Sequence, residues 1–280
     1  MHTSLEDEFG DVVGKARRGQ ELSVARLAVA CGLAEEEIAR LERYELVPSL
    51  AAVNGIALAL GLRPAALQAS ARRSFFPRHP AGRPCTGLVV EMLELGGEYR
   101  VNGYLVGCRE TGRGVMIDPG SDAEEILRAI ERTGLEIERI LLTHGHHDHA
   151  GALSEICQAT GAPALIGPAD LELLGPLGTK IEASMTDGEG IPVGNQTLVA
   201  RAVPGHTEGS IALVHPQVAF VGDALFAGSL GGTRRIADYT RLRQAVRQHL
   251  LSLDPEVALM PGHGPATTVG EELEHNPFFG

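Results

Sequence analysis

The sequence predicts an α/β protein with sheets covered by helices, preceded by a small all-α segment. Three observations lead there. Residues 1 to about 70 set apolar residues at helical spacing and lack strand-like alternation. From about residue 87, short apolar runs of strand type interleave with helical stretches, as in sheets packed under helices. Between them, "SFFPRHPAGRPC" at 74–85 supplies three prolines and a glycine, which read as a linker or as an extended arm laid across a neighbour. The expected division is a helical domain at 1–72, a linker at 73–86 and an α/β domain at 87–280.

In the helical part, "ELSVARLAVACGLAEEEIARLERYELVPSL" gives Ser23 as the cap of a second helix packed through Leu27 and Ala28. Gly32 stands at a turn, and Ile38 and Leu41 face inward from a third helix. Pro48 and "SLAAVNGIALALGL" follow. Over residues 8–67 this pattern resembles a helix-turn-helix of the Cro-repressor type. The resemblance implies a recognition helix at about 35–43, set in a major groove. Arg26, Arg40 and Arg43 are the candidate DNA contacts, with Arg17 and Arg18 beside them. Glu35, Glu36 and Glu37 open that helix; carboxylates suit a helix N-terminus but repel phosphate. The alternative is a helical module used for dimerisation or for packing beside the substrate.

In the second part, "GLVVEML", "YRVNGYLVG" and "GVMIDPG" read as three strands. "SDAEEILRAIERTG" reads as a helix with Ser121 as N-cap and Gly134 just past its end. "IERILLT" is a buried strand running into "HGHHDH", and "AGALSEICQATG" is helical. Strands at about 196–203, 210–214 and 217–221 precede a helix at about 238–253.

Composition excludes several classes. The formal charge is -12 and the pI is near 5.4, so the chain as a whole repels nucleic acid and anionic membrane. Residues 1–80 hold 10 basic and 10 acidic side chains, so the whole excess lies in 81–280. Cys31, Cys85, Cys108 and Cys157 form no C-x-x-C pair, which suits a reducing cytoplasm. "MHTSLEDEFG" has no basic and apolar leader pattern, and no apolar run is long enough to span a membrane.

The chemistry is concentrated in "THGHHDHAG", residues 143–151. Residues two apart share a face on extended or loop backbone but not on a helix. His144 and His146 therefore converge on one metal if the motif leaves a strand as a loop, while Asp148 and His149 turn to a second position. His206, Asp223 and His263 each follow an apolar strand-like run and stand beside glycine. Five of the eleven histidines fall in such places, and imidazole and carboxylate are zinc ligands. His2, His79, His215, His249 and His275 read as ordinary solvent or packing residues; His147 is ambiguous, since its neighbours supply enough ligands, and a place behind them is the minor alternative.

These residues carry a resemblance. Residues 87–280 resemble the metallo-β-lactamase fold, whose H-x-H-x-D-H signature is here His144, His146, Asp148 and His149, with His206, Asp223 and His263 as the later ligands. "VNGYLV", "IDPG", "PGHTEGS", "VGDALF" and "PGHGPATTVGEELEHNPF" are similar to glyoxalase II-like thioester hydrolases and the related persulfide dioxygenases. The resemblance implies an αββα sandwich with metals at one edge. It implies His144, His146 and His206 on one ion, Asp148, His149 and His263 on the other, Asp223 between them, and Asp118 orienting ligands. Asp118 also reads as a plain turn residue of "DPG". Two zinc ions per chain are expected, with iron or mixed iron, zinc and manganese as the alternative. Cations about 3.5–4 Å apart lower the pKa of a shared water for attack on a carbonyl, with Asp148 steering it.

β-Lactam hydrolysis is not expected, because two-zinc lactamases commonly carry Cys where this chain has Asp223. Glyoxalase II enzymes carry an added C-terminal helical domain; this sequence runs only to Gly280, which counts against glutathione recognition of that kind. The leading expectation is a cytoplasmic metal-dependent hydrolase of a thioester or related ester, fused to a module that contacts double-stranded DNA and pairs as a homodimer. Two alternatives stand beside it: a transcription regulator with a metallo-β-lactamase-like effector domain, and a mononuclear iron dioxygenase held by His144, His206 and Asp223.

Overall fold

The computed structural model describes residues 2–96 and 100–279. Five helices come first: α1 (Phe9–Gly19), α2 (Val24–Cys31), α3 (Glu35–Glu42), α4 (Leu50–Leu60) and α5 (Pro64–Ala71). Serine side chains cap α2 and α4, where Ser23 and Ser49 accept from Arg26 N and Ala52 N. Gly32 and Gly61 end the same two helices in the left-handed conformation.

The first sheet is built from β1 (Leu88–Leu95), β2 (Val101–Cys108), β3 (Arg113–Ile117), β4 (Glu136–Leu141), β5 (Ala164–Ile166) and β6 (Ile181–Ser184), side by side in that order. The expected start of the second strand at Tyr99 lies outside the described residues. Helices α6 (Ala123–Thr133), α7 (His147–Ala150) and α8 (Leu153–Thr160), and a 3₁₀ stretch at Pro168–Lys180, join its later strands.

The second sheet is ordered β14-β13-β10-β9-β8-β7, with β7 (Gly190–Val193), β8 (Gln196–Ala202), β9 (Ile211–His215), β10 (Val218–Gly222), β13 (Ala258–Pro261) and β14 (Thr267–Thr268). A small hairpin of β11 (Leu225–Phe226) and β12 (Ser229–Leu230), then α9 (Ile236–His249) and α10 (Val269–His275), complete the chain.

The period-2 alternation of strands builds the layers. Tyr104, Val106, Val115 and Ile117 face Leu213, Val218, Phe220 and Met260 in a core between the sheets. Their neighbours Leu105 and Met116 face α6 and α8 through Ile126, Ala129 and Ile156. On the far side, Ala219, Val221 and Leu259 pack on α9. The fold is therefore the four-layer αββα sandwich. The N-terminal helices thicken its last layer: Val12, Val13, Leu27, Ile38 and Ile56 share one apolar cluster with Tyr239, Leu242 and Phe278. Residues 74–86 carry no helix or strand and lie along the second sheet's side, with Arg78 paired to Glu271 and Arg83 to Glu256.

One cap differs from expectation. Asp122, not Ser121, caps α6, its carboxylate accepting from Glu125 N at 3.0 Å. Ser121 is instead held under Gly151, where an added Cβ would come within 3.0 Å of the serine Cβ. Among the described residues no helix is long and apolar enough to cross a membrane.

Candidate metal centre

The centre forms where both sheets end. β4 delivers the 143–146 loop, and the single turn of α7 then carries Asp148 and His149. His206 follows β8, Asp223 follows β10 and His263 follows β13. Two glycines make this possible. Gly222 turns the chain at φ +50°, and an added Cβ there would lie 2.7 Å from Thr143 Cβ. At Gly262 an added Cβ would lie 2.6 Å from His149 Cε1 and closer still to Asp223 Oδ1.

Seven side chains predicted as ligands come together. His144, His146 and His206 present atoms within 4.8 Å of one another; so do His144, His149 and Asp223, and Asp148, His149 and His263. His146 Nδ1 lies 3.0 Å from both His144 Nε2 and His206 Nε2. Asp223 stands between the groups, with Oδ1 3.4 Å from His149 Nε2 and Oδ2 3.4 Å from His206 Nε2. Asp148 Oδ2 is 3.3 Å from His263 Nε2.

The outer nitrogens fix which lone pairs face inward. Asp118 Oδ2 is 2.9 Å from His149 Nδ1 and accepts from Thr143 Oγ1 at 2.7 Å. Thr143 Oγ1 thereby accepts from His144 Nδ1 at 3.1 Å. His206 Nδ1 donates to Gly232 O at 3.0 Å and His263 Nδ1 to Arg100 O at 2.7 Å. Four rings thus keep their Nδ1 proton on the outside and turn Nε2 inward, the nitrogen a metal would take. Lone pairs crowded at hydrogen-bond distance without protons repel unless a cation sits among them. His149 Nε2 and Asp223 Oδ1 are buried with no hydrogen-bond partner, which fits ligands awaiting an ion.

Electrostatics divide the rings: His144 and His146 are held neutral, whereas His149 and His263 are drawn toward the protonated form by the carboxylates beside them. Burial pushes the His144 and His146 pKa values down, helped by the neighbouring histidines. Burial also opposes the charged forms of Asp223 and His149, but their mutual attraction wins: Asp223 is held well below the carboxylate range and His149 well above the imidazole range. His263, despite burial, is lifted to about 9 by its hydrogen bond to Asp148.

Sequence reading missed Asp170. It is buried and accepts from Gly145 N at 2.9 Å, Thr207 Oγ1 at 2.6 Å and Gly209 N at 2.7 Å, tying the 143–146 loop to the His206 loop. A lone Asp in "GPADLELL" gives no signal of this. Asp118, which the sequence left open, is a buried anchor in the left-handed region at φ +51°. His2, set aside as ordinary, is 2.8 Å from Asn102 Oδ1 and lines a cavity of about 660 Å³ with His147, Asp148 and His263. A second cavity, about 870 Å³, opens onto His146 and His206.

The arginines named for DNA are placed less simply. Arg43 forms a two-pronged pair with Glu45 at 2.9 and 3.0 Å, and Arg40 donates to Glu45 O. Arg17 is paired with Glu42. Glu37 caps its own helix by accepting from Ala34 N at 2.8 Å. Arg26 is exposed on α2.

The comparisons with known proteins bear on the same region. The chain is 34% identical over 181 residues to the hydroxyacylglutathione hydrolase GloC of Haemophilus influenzae, covering 58% of this chain and 85% of that one. Its fold is similar to the crystal structure of the BLEG-1 B3 metallo-beta-lactamase, with TM-score 0.62 and 30% identity over 68% of this chain and 99% of that one. It is also similar to TTHA1623 in a di-iron-bound form, with TM-score 0.57 and 33% identity over 67% of this chain and 99% of that one. The profile of the metallo-beta-lactamase superfamily matches residues 96–263, a span that runs from just after β1 through His263 and takes in all seven converging side chains, and the chain belongs to that superfamily.

Proposed function

We propose that this protein is a dinuclear metal-dependent hydrolase of a thioester or related ester, with zinc as the ion. The observation that carries the reading is the pair of adjacent ligand groups in which four rings are turned Nε2-inward by fixed outer partners. His144, His146 and His206 would hold one ion and Asp148, His149 and His263 the other, with Asp223 between. Bound there, a pair of divalent cations supplies an acidified water and a polarised carbonyl. The chain's own residues do the rest. Asp118 and Thr143 fix the tautomers of His149 and His144. Asp170 fixes the distance between the two ligand loops. Asp148, whose side chain is 42% exposed toward the cavity with His263, can accept a hydrogen bond from the attacking water and orient it. The hydroxyacylglutathione hydrolase name of the Haemophilus relative supports a thioester substrate.

The helical segment 1–72 enters this reading as a wall of the substrate site, joined by the arm 73–86 to the hydrolase domain 87–280. Its arginines Arg40 and Arg43 are engaged within the module, so duplex binding through Arg26, Arg40 and Arg43 is the weaker reading. A mobility shift with random duplex at low salt should give no complex.

Metal analysis with turnover assays tests the whole. Two zinc ions per chain and hydrolysis of S-lactoylglutathione are expected. One iron per chain with oxygen uptake on glutathione persulfide would replace the reading by the dioxygenase. Hydrolysis of nitrocefin in place of any thioester would replace it by a lactamase.

A further inference from the structure

The two cavities on either side of the metal centre differ in charge. The one at Asp148 and His263 also carries Glu6 and Glu94, with His2 and Arg100. The one at His146 and His206 carries Arg18, Arg234 and Arg235, against a single carboxylate, Asp238. Asp238 is already taken by Arg235, at 2.7 and 3.1 Å. Arg18 and Arg234 are exposed, and among the described residues neither makes an ion pair. Two unneutralised guanidiniums at the mouth of a site on a chain of charge -12 call for an explanation.

Their placement is built, not incidental. Arg18 comes from α1, outside the stretch matched by the superfamily. Gly19, the next residue, docks α1 so tightly on the 231–235 loop that an added Cβ would lie 2.7 Å from Thr233 Oγ1 and 2.6 Å from Tyr239 Cδ2. That contact brings Arg18 to the same wall as Arg234. Gly14 leaves room for the Arg18 guanidinium to lie back over the helix, since a Cβ there would be 2.8 Å from its Nη1. Thr233 lines the cavity too, is buried, and its hydroxyl has no partner.

Resting on the hydrolase reading above, we infer that the substrate is an anionic thioester and that Arg18 of the N-terminal helix and Arg234 bind its carboxylate or phosphate on the His146–His206 side. Guanidinium suits either anion through paired N–H donors. The helical segment then serves the enzyme directly, completing a pocket that the αββα sandwich alone leaves open.

The test compares thioesters that differ in charge. The metal-loaded protein is assayed on the acetyl thioester of 5-thio-2-nitrobenzoate, which carries a carboxylate, on acetyl-coenzyme A, which carries phosphates, and on neutral S-phenyl thioacetate. In Arg18→Ala/Arg234→Ala the ratio of kcat/KM for an anionic over the neutral ester should fall at least tenfold, and Arg18→Lys/Arg234→Lys should recover part of it. The ester whose ratio falls identifies the anion. Ratios unchanged for both anionic esters overturn the inference. If the unsubstituted protein hydrolyses none of the three, the thioester reading fails separately, and calorimetric titration with benzene-1,3-disulfonate decides the pocket. Binding at least tenfold weaker in the alanine variant supports it; equal binding, or none to the unsubstituted protein, overturns it.

Discussion

Replacing Asp118 by asparagine isolates what orients the ligands. The carboxylate is buried and accepts three hydrogen bonds, from Thr143 N at 2.8 Å, Thr143 Oγ1 at 2.7 Å and His149 Nδ1 at 2.9 Å. Asparagine keeps one oxygen, which the Thr143 amide retains. Its NH₂ then faces two donors, the threonine hydroxyl and the His149 ring. Relief requires His149 to move its proton to Nε2, the nitrogen that faces Asp223 and Asp148. A ligand lone pair is lost at that step. Partners of this kind are worth about 10–100-fold in metal affinity, or roughly 1.4–2.7 kcal/mol. Loss of a charge-assisted bond should also cost the metal-free fold about 1.5–3 kcal/mol. The assay is competition for zinc against a chromophoric chelator, with metal content per chain and urea unfolding of the stripped protein. Asp118→Asn should weaken the His149 site most and the His144–His146–His206 site less, which feels the change only through Thr143. Two ions held with affinity within about twofold of the unsubstituted protein would refute the claim that Asp118 sets the His149 tautomer.

In Gly262→Ala the new Cβ would stand 2.6 Å from His149 Cε1, so metal content should drop by at least one ion while far-UV circular dichroism stays unchanged; full metal content would show that the ligands have slack. Gly19→Ala overpacks the joint between α1 and Tyr239 and should cost about 1–3 kcal/mol in urea unfolding; a neutral result would mean that α1 is not pressed on α9 there. Burial lifts Glu272 from 4.5 to about 7, so the folded state holds its proton more tightly than the unfolded chain. Stability should then fall as pH rises from about 4.5 to about 7, by about 3 kcal/mol from this group. Glu272→Gln should flatten that slope, and a stability difference between variant and parent that is constant with pH would count against it. Stripping metal with a chelator should lower Tm without unfolding the chain at room temperature, since three apolar clusters hold the layers; loss of the circular dichroism signal would contradict this.

The convergence of the seven proposed ligands was legible because metal chemistry restricts residue type and strand ends restrict position. His206, Asp223 and His263 each announce themselves as an imidazole or carboxylate after an apolar run and beside glycine. The outer strands β5, β6 and β7 were not legible; at three or four residues each they are too short for alternation to show. Asp170 was invisible for another reason. Its role is to bridge two loops far apart in sequence, and nothing in its own neighbours records the partner. The docking of α1 was hidden in the same way. Val12, Val13 and Ala16 mark an apolar helical face, but the face alone does not say whether Leu41 of its own module or Leu242 of α9 covers it, and both belong to the cluster that does.

That shared cluster changes how the N-terminal helices are to be understood. A module read only as a DNA reader should turn its charged faces to solvent and touch its neighbour lightly. Here the segment before α1 and the helix itself reach the metal centre from two directions. Gly264, next to the proposed ligand His263, sits so close to Glu6 that a Cβ would fall 2.9 Å from its backbone nitrogen. Lys15, paired with Asp7, lies over the Phe226 ring at 4.4 Å, and that ring stands edge-on to His263 at 5.9 Å. Arg18, one turn on, reaches the cavity of His146 and His206. Four of the proposed ligand rings are already held by Asp118, Thr143, Gly232 and Arg100, without α1. What a helix lying across a preformed centre controls is access, and its residues on each side decide which charge is admitted.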